Sequence, residues 1–163
     1  MSISSYLSLG SNLGNREVYL RKAVEALSAL PQTCLRAVSS IYETPPWGLI
    51  EQPAFLNLCV EISTDLTPHM LLMSCLDIEK KAGRERDIRW GPRVLDIDIL
   101  IYDNLELNEH GLTLPHPSML ERAFVLKPLV EIAPDLHLEG KSILDAMAKL
   151  DDSGIINIGT LNL

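Results

Sequence analysis

Aromatic residues are scarce: two Phe, two Trp and four Tyr make up 5% of this 163-residue chain, so its core must be built from aliphatic side chains. Cysteine is scarcer. Cys34, Cys59 and Cys75 are odd in number, widely spaced and without any Cys-x-x-Cys or nearby His. That excludes a disulfide framework and a thiolate metal site, and leaves three buried small hydrophobes in a reducing compartment. No apolar run approaches the roughly 20 residues that cross a bilayer, and Met1 to Asn15 holds no basic residue to open a signal peptide. A cytoplasmic location is expected. With 47% hydrophobic and 22% charged residues, and only nine Gly and ten Pro, the composition excludes disorder, collagen-like repeats and low complexity. Neither an internal repeat nor a linker is visible, so residues 1–163 are expected to form a single domain. A chain of this length buries about 70% of its unfolded surface and folds without a disulfide or a metal.

Positive charge is also in deficit. The net charge is −8, which repels nucleic acid and anionic membranes alike and leaves neither as an expected partner. The balance is uneven: Lys80 to Arg93 holds six basic and two acidic residues, or +4, while the other 149 residues carry −12. A local cationic segment in an acidic protein suits a compact anionic ligand better than a polymer. Lys80 and Lys81 are accounted for as the dipole-complementing end of a helix; the arginines are not.

Hydrophobic spacing places a strand at Ser4 to Leu9, a turn over Gly10 to Asn15, and a helix carrying Leu20, Ala23, Val24, Leu27 and Leu30, with Asn15 as its N-cap. A second strand is expected over Leu35 to Glu43, ended by the paired prolines Pro45 and Pro46. Phe55 to Ser63 alternates, with Leu56, Leu58, Val60 and Ile62 on one face and Phe55 and Asn57 on the other. Thr67-Pro68 opens a second helix that stops at Gly83. Val94 to Tyr102 alternates again, with Leu95, Ile97, Ile99 and Ile101 toward the core. A hairpin around Gly111 returns through Leu112 to Leu114, and short helices follow around Met119 to Ile132 and Ser142 to Leu150, interrupted by Pro128 and Pro134. The order strand, helix, strand, strand, helix, strand predicts an α+β, ferredoxin-like sandwich: a mostly antiparallel central sheet with packed helices on one face.

The most informative stretch runs from Arg84 to Asp98. Asp96 and Asp98, two apart on a strand, project from the same face at roughly 6.5 to 7 Å. Exposed strand faces often carry acidic residues, so this pair alone says little. Arginines immediately upstream change its weight. Two carboxylates stay ionised together only beside cations, and hard oxygen ligands without His or Cys favour magnesium supplemented by water and phosphate oxygens. The joint reading is a polyphosphate bridged by metal on one side and clamped by guanidinium forks on the other. A second cluster suits a flat ligand. Phe55 can stack a heterocycle while the Asn57 amide offers a donor and an acceptor to its edge, and Phe124 is the only other phenylalanine. His116, set between Pro115 and Pro117, is a candidate phosphate contact, whereas His69, His110 and His137 read as surface residues.

These segments resemble the 6-hydroxymethyl-7,8-dihydropterin pyrophosphokinase family. The likeness runs from Tyr6-Leu-Ser-Leu-Gly-Ser-Asn-Leu13 through Tyr42-Glu-Thr-Pro-Pro46, Gln52-Pro-Ala-Phe-Leu-Asn57 and Gly83-Arg84-x-Arg86. It continues through Arg89-Trp-Gly-Pro-Arg-Val-Leu-Asp-Ile-Asp98, Leu114-Pro-His116, Arg122-Ala-Phe124 and Pro128 to Pro134. The resemblance implies transfer of a diphosphoryl group from ATP to the pterin hydroxymethyl oxygen, with release of AMP, by a monomer acting on small molecules. It implies that Asp96 and Asp98 hold two magnesium ions and that Arg84 and Arg93 contact the transferring phosphates. Phe55 and Phe124 would sandwich the pterin, with Thr44, Pro45, Trp47 and Asn57 around its edge. Glu79, Arg86 and His116 would lie on the nucleotide side, and Trp90 on a closing loop. Gly111, Pro117 and Trp47 depart from the family's usual residues, which puts peripheral ATP contacts and the packing of the pterin loop at issue.

Two other readings remain. A different magnesium-dependent nucleotidyltransferase would use the same acidic pair on another acceptor, and would release inorganic diphosphate instead of AMP. A non-catalytic ferredoxin-like ligand-binding module would consume no ATP and would leave the acidic pair and arginine loop without a task.

Overall fold

Residues 2–45, 54–83 and 94–163 are described in a computed structural model of the chain. The first half runs β1 (Ile3–Ser11), α1 (Arg16–Ser28), β2 (Thr33–Val38), β3 (Ile41–Thr44), β4 (Phe55–Thr64) and α2 (Pro68–Lys81). It is followed by β5 (Asp96–Tyr102), a hairpin of β6 (Leu107–Glu109) and β7 (Leu112–Leu114), a 3-10 turn at Met119–Glu121, and α3 (Ala123–Ile132). The chain ends in β8 (His137–Leu138), β9 (Lys141–Ser142), α4 (Ile143–Ala148) and β10 (Ile156–Gly159).

Both long helices start where their capping chemistry dictates. Asn15 Oδ1 accepts from the Val18 amide at 3.3 Å, and Thr67 Oγ1 accepts from the Met70 amide at 3.2 Å with Pro68 in the first turn. The main sheet has the order β10-β3-β4-β1-β5, with β2 pairing β4 beside β3, and every pair is antiparallel. Its β3-β4-β1-β5 core is the ferredoxin-like arrangement.

Several details differ from expectation. The strand expected over Leu35 to Glu43 is divided at Ser39 and Ser40. Between the Val38–Val60 and Tyr42–Asn57 pairs, three residues on one side (39–41) oppose two on β4 (Leu58 and Cys59), so the ladder must bulge. Ser39 makes good the broken ladder: its amide donates to the Cys59 carbonyl at 2.9 Å and its hydroxyl accepts from the Cys59 amide at 2.9 Å. Gly10 belongs to β1 and not to the turn, because it pairs with Asn57 on one side and Asp96 on the other. Helices cover both faces of the sheet. On one, Leu7, Leu9, Leu56, Leu58 and Ile62 pack against Leu20, Leu27, Leu71 and Cys75 of α1 and α2; on the other, Cys59 and Leu100 meet Val125, Leu126 and Leu129 of α3. Ile101 joins this second cluster and not the first, because a register shift between Tyr6 and Leu7 sets Leu100 and Ile101 on the same side. Pro128 sits inside α3 without ending it, since the ring is buried among the apolar residues that hold the helix down.

Cys59 and Cys75 are buried, but Cys34 is exposed on β2, where it points away from the core. The strand β10 carried no signal in the sequence, as all four of its residues are exposed. Among the described residues no helix is long and apolar enough to cross a membrane.

Candidate active site

Pairing across four strands fixes the frame of the site. Tyr42 on β3 faces Asn57 on β4, Asn57 faces Gly10 on β1, and Gly10 faces Asp96 on β5. In a pleated sheet these partners share one face. The adjacent row on that face is Cys59, Ser8 and Asp98. Both aspartates therefore rise from the same face as the Asn57 amide, opposite Ile97 and Ile99, and both are half-buried.

Gly10 sets the position of that amide. A Cβ at residue 10 would lie 2.8 Å from Asn57 Oδ1 and 3.8 Å from Phe55 Cδ1. The amide thus lies across a backbone that only glycine leaves bare. Its Nδ2 donates to Thr44 Oγ1 at 3.2 Å, and Asn57 and Thr44 are each 5% exposed. Arg16, at the start of α1, donates to the Ala54 carbonyl at 2.7 Å and lies 3.4 Å from Glu43, tying together the strand ends that carry Phe55 and Thr44. Phe124 stands in the first turn of α3, half-buried, with the Arg122 guanidinium 5.9 Å from its ring centroid.

His116 is held by its own backbone, whose amide donates to the Leu100 carbonyl at 2.8 Å. Its Nδ1 accepts from the Ser118 amide at 3.2 Å, which leaves the ring proton on Nε2. Burial, and then the charge of Arg122, hold its pKa below the ordinary histidine value, with Asp96 pulling the other way. The imidazole is a neutral donor near the acidic pair. Beside it opens a cleft of about 290 Å³ between Leu72 of α2, Asp98 and Ile99 of β5, and Leu112 and Thr113 of the hairpin. A larger, shallower depression of about 560 Å³ between Glu106 and Glu139 meets neither aspartate.

Glu79 shows a role that the sequence did not suggest. It is 2% exposed, and its Oε2 accepts the Ile97 amide at 2.7 Å. Among the described residues β5 is the outer strand of the main sheet, and none of them offers this amide, between the two aspartates, a strand partner on its open side. Glu79 therefore braces the strand from which Asp96 and Asp98 project.

The structure thus brings together Thr44, Phe55, Asn57, Asp96, Asp98, His116 and Phe124. Pro45 is exposed next to Thr44, with its ring 3.3 Å from where a Cβ on Gly154 would stand. Trp47, Arg84, Arg86, Trp90 and Arg93 lie outside the described residues. Gly10 and Arg122 were missed as site residues. A glycine interrupting an alternating strand signals close approach of another group, and Arg122 two residues from a rare phenylalanine was the only hint of the second.

A family model for 7,8-dihydro-6-hydroxymethylpterin-pyrophosphokinase matches residues 6–134. The chain is 53% identical over 151 residues to the 2-amino-4-hydroxy-6-hydroxymethyldihydropteridine pyrophosphokinase of Methylorubrum extorquens, covering 93% of this chain and 96% of that protein. It is 44% identical over 155 residues to the protein of the same name from Bacillus subtilis, covering 95% and 90%. Among solved structures, the HPPK-DHPS of Plasmodium falciparum superposes with a TM-score of 0.68 at 17% identity, over 90% of this chain and 43% of that one. The chain spans less than half of that longer protein, and at this identity the likeness speaks for the fold alone.

Proposed function

Because the chain belongs to the 7,8-dihydro-6-hydroxymethylpterin-pyrophosphokinase family, we infer that it is a pyrophosphokinase of folate biosynthesis, moving the β,γ-diphosphoryl group of ATP to the hydroxymethyl oxygen of 6-hydroxymethyl-7,8-dihydropterin with release of AMP. The observation that supports the residue assignment is the single row Asn57, Gly10, Asp96. Two inter-strand steps, about 10 Å, separate the group that would read a heterocycle edge from the group that would hold cations. A bicyclic ring docked on Asn57 would then extend its hydroxymethyl arm toward the phosphates gathered at Asp96 and Asp98.

Phe55 and Phe124 would stack the two faces of the pterin, and the Asn57 amide, fixed by Thr44, would pair with its edge. Pro45 and Trp47 would line the rim. The cleft bounded by Leu72, Ile99 and Leu112 is near the lower end of the roughly 300 to 1,000 Å³ typical of small-ligand sites, and Asp98 and His116 are among its lining residues. It suits the nucleoside, with the triphosphate running out across the acidic pair. There the His116 Nε2–H would donate to a phosphate oxygen, and Arg84, Arg86 and Arg93 would neutralise the transferring group. Trp90, with its glycine- and proline-flanked loop, would shield the diphosphoryl group from water.

The donor set of Asp96 and Asp98 fits magnesium. Among the described residues no three His, Cys, Asp or Glu side chains form a ready-made cage, so coordination would be completed by water and phosphate oxygens, as this ion prefers. When bound, two such ions would supply counter-charge to the oxygens on either side of the transferring phosphorus. Glu79 acts indirectly, holding the Ile97 amide so that the two carboxylates keep their spacing.

Incubating the protein with ATP, magnesium and 6-hydroxymethyl-7,8-dihydropterin, and identifying the products, tests this reading. AMP and the pterin diphosphate are expected in equal amounts. Release of inorganic diphosphate would instead point to nucleotidyl transfer, and no magnesium-dependent ATP consumption would point to a binding module.

A further inference from the structure

The C-terminal strand lies beyond the residues that the family model matches, yet it pairs with β3, and β3 is hydrogen-bonded through Tyr42 to α3, the helix that carries Phe124. β10 pairs with β3 so that Asn157 faces Tyr42. The Asn157 Oδ1 accepts from the Gly159 amide at 2.9 Å, which fixes the side chain directly across from Tyr42 in the register and leaves its Nδ2 as the group available to that residue. The Tyr42 hydroxyl donates to Glu131 Oε1 at 2.6 Å. Glu131 Oε2 accepts from the Ser40 amide at 2.8 Å and the Ser40 hydroxyl at 3.1 Å. Tyr42 is 6% exposed, and burial, followed by the neighbouring carboxylate, holds it protonated as a donor.

The position of Glu131 gives these contacts their consequence. It sits on α3 seven residues after Phe124, which is two helical turns and therefore the same face. Phe124 reaches the site from one end of that face while Glu131 ties the other end to β3. On the sheet side, Tyr42 shares its lateral row with Asn57, two residues from Phe55. α3 packs on β4 and β3, so a change in its seating would move Phe124 relative to Phe55.

We propose that Asn157, Tyr42 and Glu131 form a positioning relay through which the C-terminal strand sets the spacing of the aromatic slot, and so the affinity for the pterin but not for the nucleotide. This rests on the assignment of Phe55 and Phe124 to the pterin. None of the three residues touches substrate; each acts through the seating of α3.

The test measures equilibrium binding of 6-hydroxymethyl-7,8-dihydropterin, in the presence of magnesium and a non-hydrolysable ATP analogue, to the full chain and to Asn157→Ala, Tyr42→Phe and the double variant. Binding of the analogue alone is measured in parallel. The pterin Kd is expected to rise at least threefold for Asn157→Ala and at least fivefold for Tyr42→Phe. The double variant should be no more than twofold worse than Tyr42→Phe, since the Asn157 effect passes through the tyrosine. The analogue Kd should stay within twofold throughout. Unchanged pterin affinity, additive losses, or equal losses for both ligands would overturn the relay. Asn157→Ala alters only an exposed strand and keeps the test open if Tyr42→Phe does not fold. A wild-type protein that binds no pterin would instead overturn the underlying assignment.

Discussion

Replacing Gly10 with Ala is the sharpest probe of the site, because the perturbation is one methyl group with a single identified victim. The backbone at Gly10 is not in the positive-φ region, so alanine is compatible with the strand, and the cost must come from contact. The new Cβ would stand 2.8 Å from Asn57 Oδ1, and the amide would have to rotate or retreat. Retreat strains or breaks the 3.2 Å bond to Thr44 Oγ1, worth about 1 kcal/mol, and adds overpacking of about 1 to 3 kcal/mol. A total loss of roughly 1 to 4 kcal/mol in stability is expected by urea denaturation. If the displaced amide also loses its donor and acceptor contacts to the pterin, at about 1 kcal/mol each, affinity falls by roughly tenfold or more, read by calorimetry with a nucleotide analogue present. The control is the same substitution in an Asn57→Ala background, where the obstructing atom is gone and the stability cost should shrink to below about 0.5 kcal/mol. An equal penalty in both backgrounds, or pterin affinity within twofold of wild type, would refute the reasoning.

Other expectations follow from the same geometry. Asp96→Asn and Asp98→Asn keep shape and remove charge, and each should lower turnover by roughly a hundredfold or more at saturating magnesium; initial rates within tenfold of wild type would contradict their role. Burial, and then Glu79 and Asp98, push the Cys75 thiol up to about 12, and burial raises Cys59 as well, while Cys34 is exposed. A thiol reagent at pH 8 should therefore modify one cysteine in the native protein and three after unfolding. The unfolded thiols ionise near 9.0, and the folded Cys75 does so only near 12. This contribution to stability is intact below pH 9 and declines above it, by about 1.4 kcal/mol per pH unit for each buried thiol. Cys75→Ala should flatten that decline in denaturant titrations between pH 8.5 and 10.5.

Much of this architecture is legible where one local signal dominates. Asn15 and Thr67 cap their helices as their side-chain chemistry requires, and Leu56, Leu58, Val60 and Ile62 report a half-turn period that nothing contradicts. What escapes local reading depends on partners far along the chain. The break at Ser39 and Ser40 arises because β4 offers two residues, Leu58 and Cys59, to the three from Ser39 to Ile41, which no window around Ser39 contains. β10 exists because β3 has an open edge to pair with, and its own exposed Ile156-Asn-Ile-Gly carries no amphipathic stripe. The acidic pair and the Asn57 face could be read from alternation alone. The Gly10 clearance and the support from Glu79 could not, since both require knowing which strands are neighbours.

The extra residue in β5 makes one short strand serve two incompatible environments. Before it, half-buried carboxylates emerge from one face; beginning with the extra residue itself, Leu100 and Ile101 enter the oily layer beneath α3. The reading frame of this segment is thereby locked. Losing or gaining one residue between Asp98 and Leu100 would leave either end misphased, forcing ionised oxygens into hydrocarbon or aliphatic side chains into solvent. A change in the length of this strand therefore disturbs both environments at once, whereas a point substitution disturbs one.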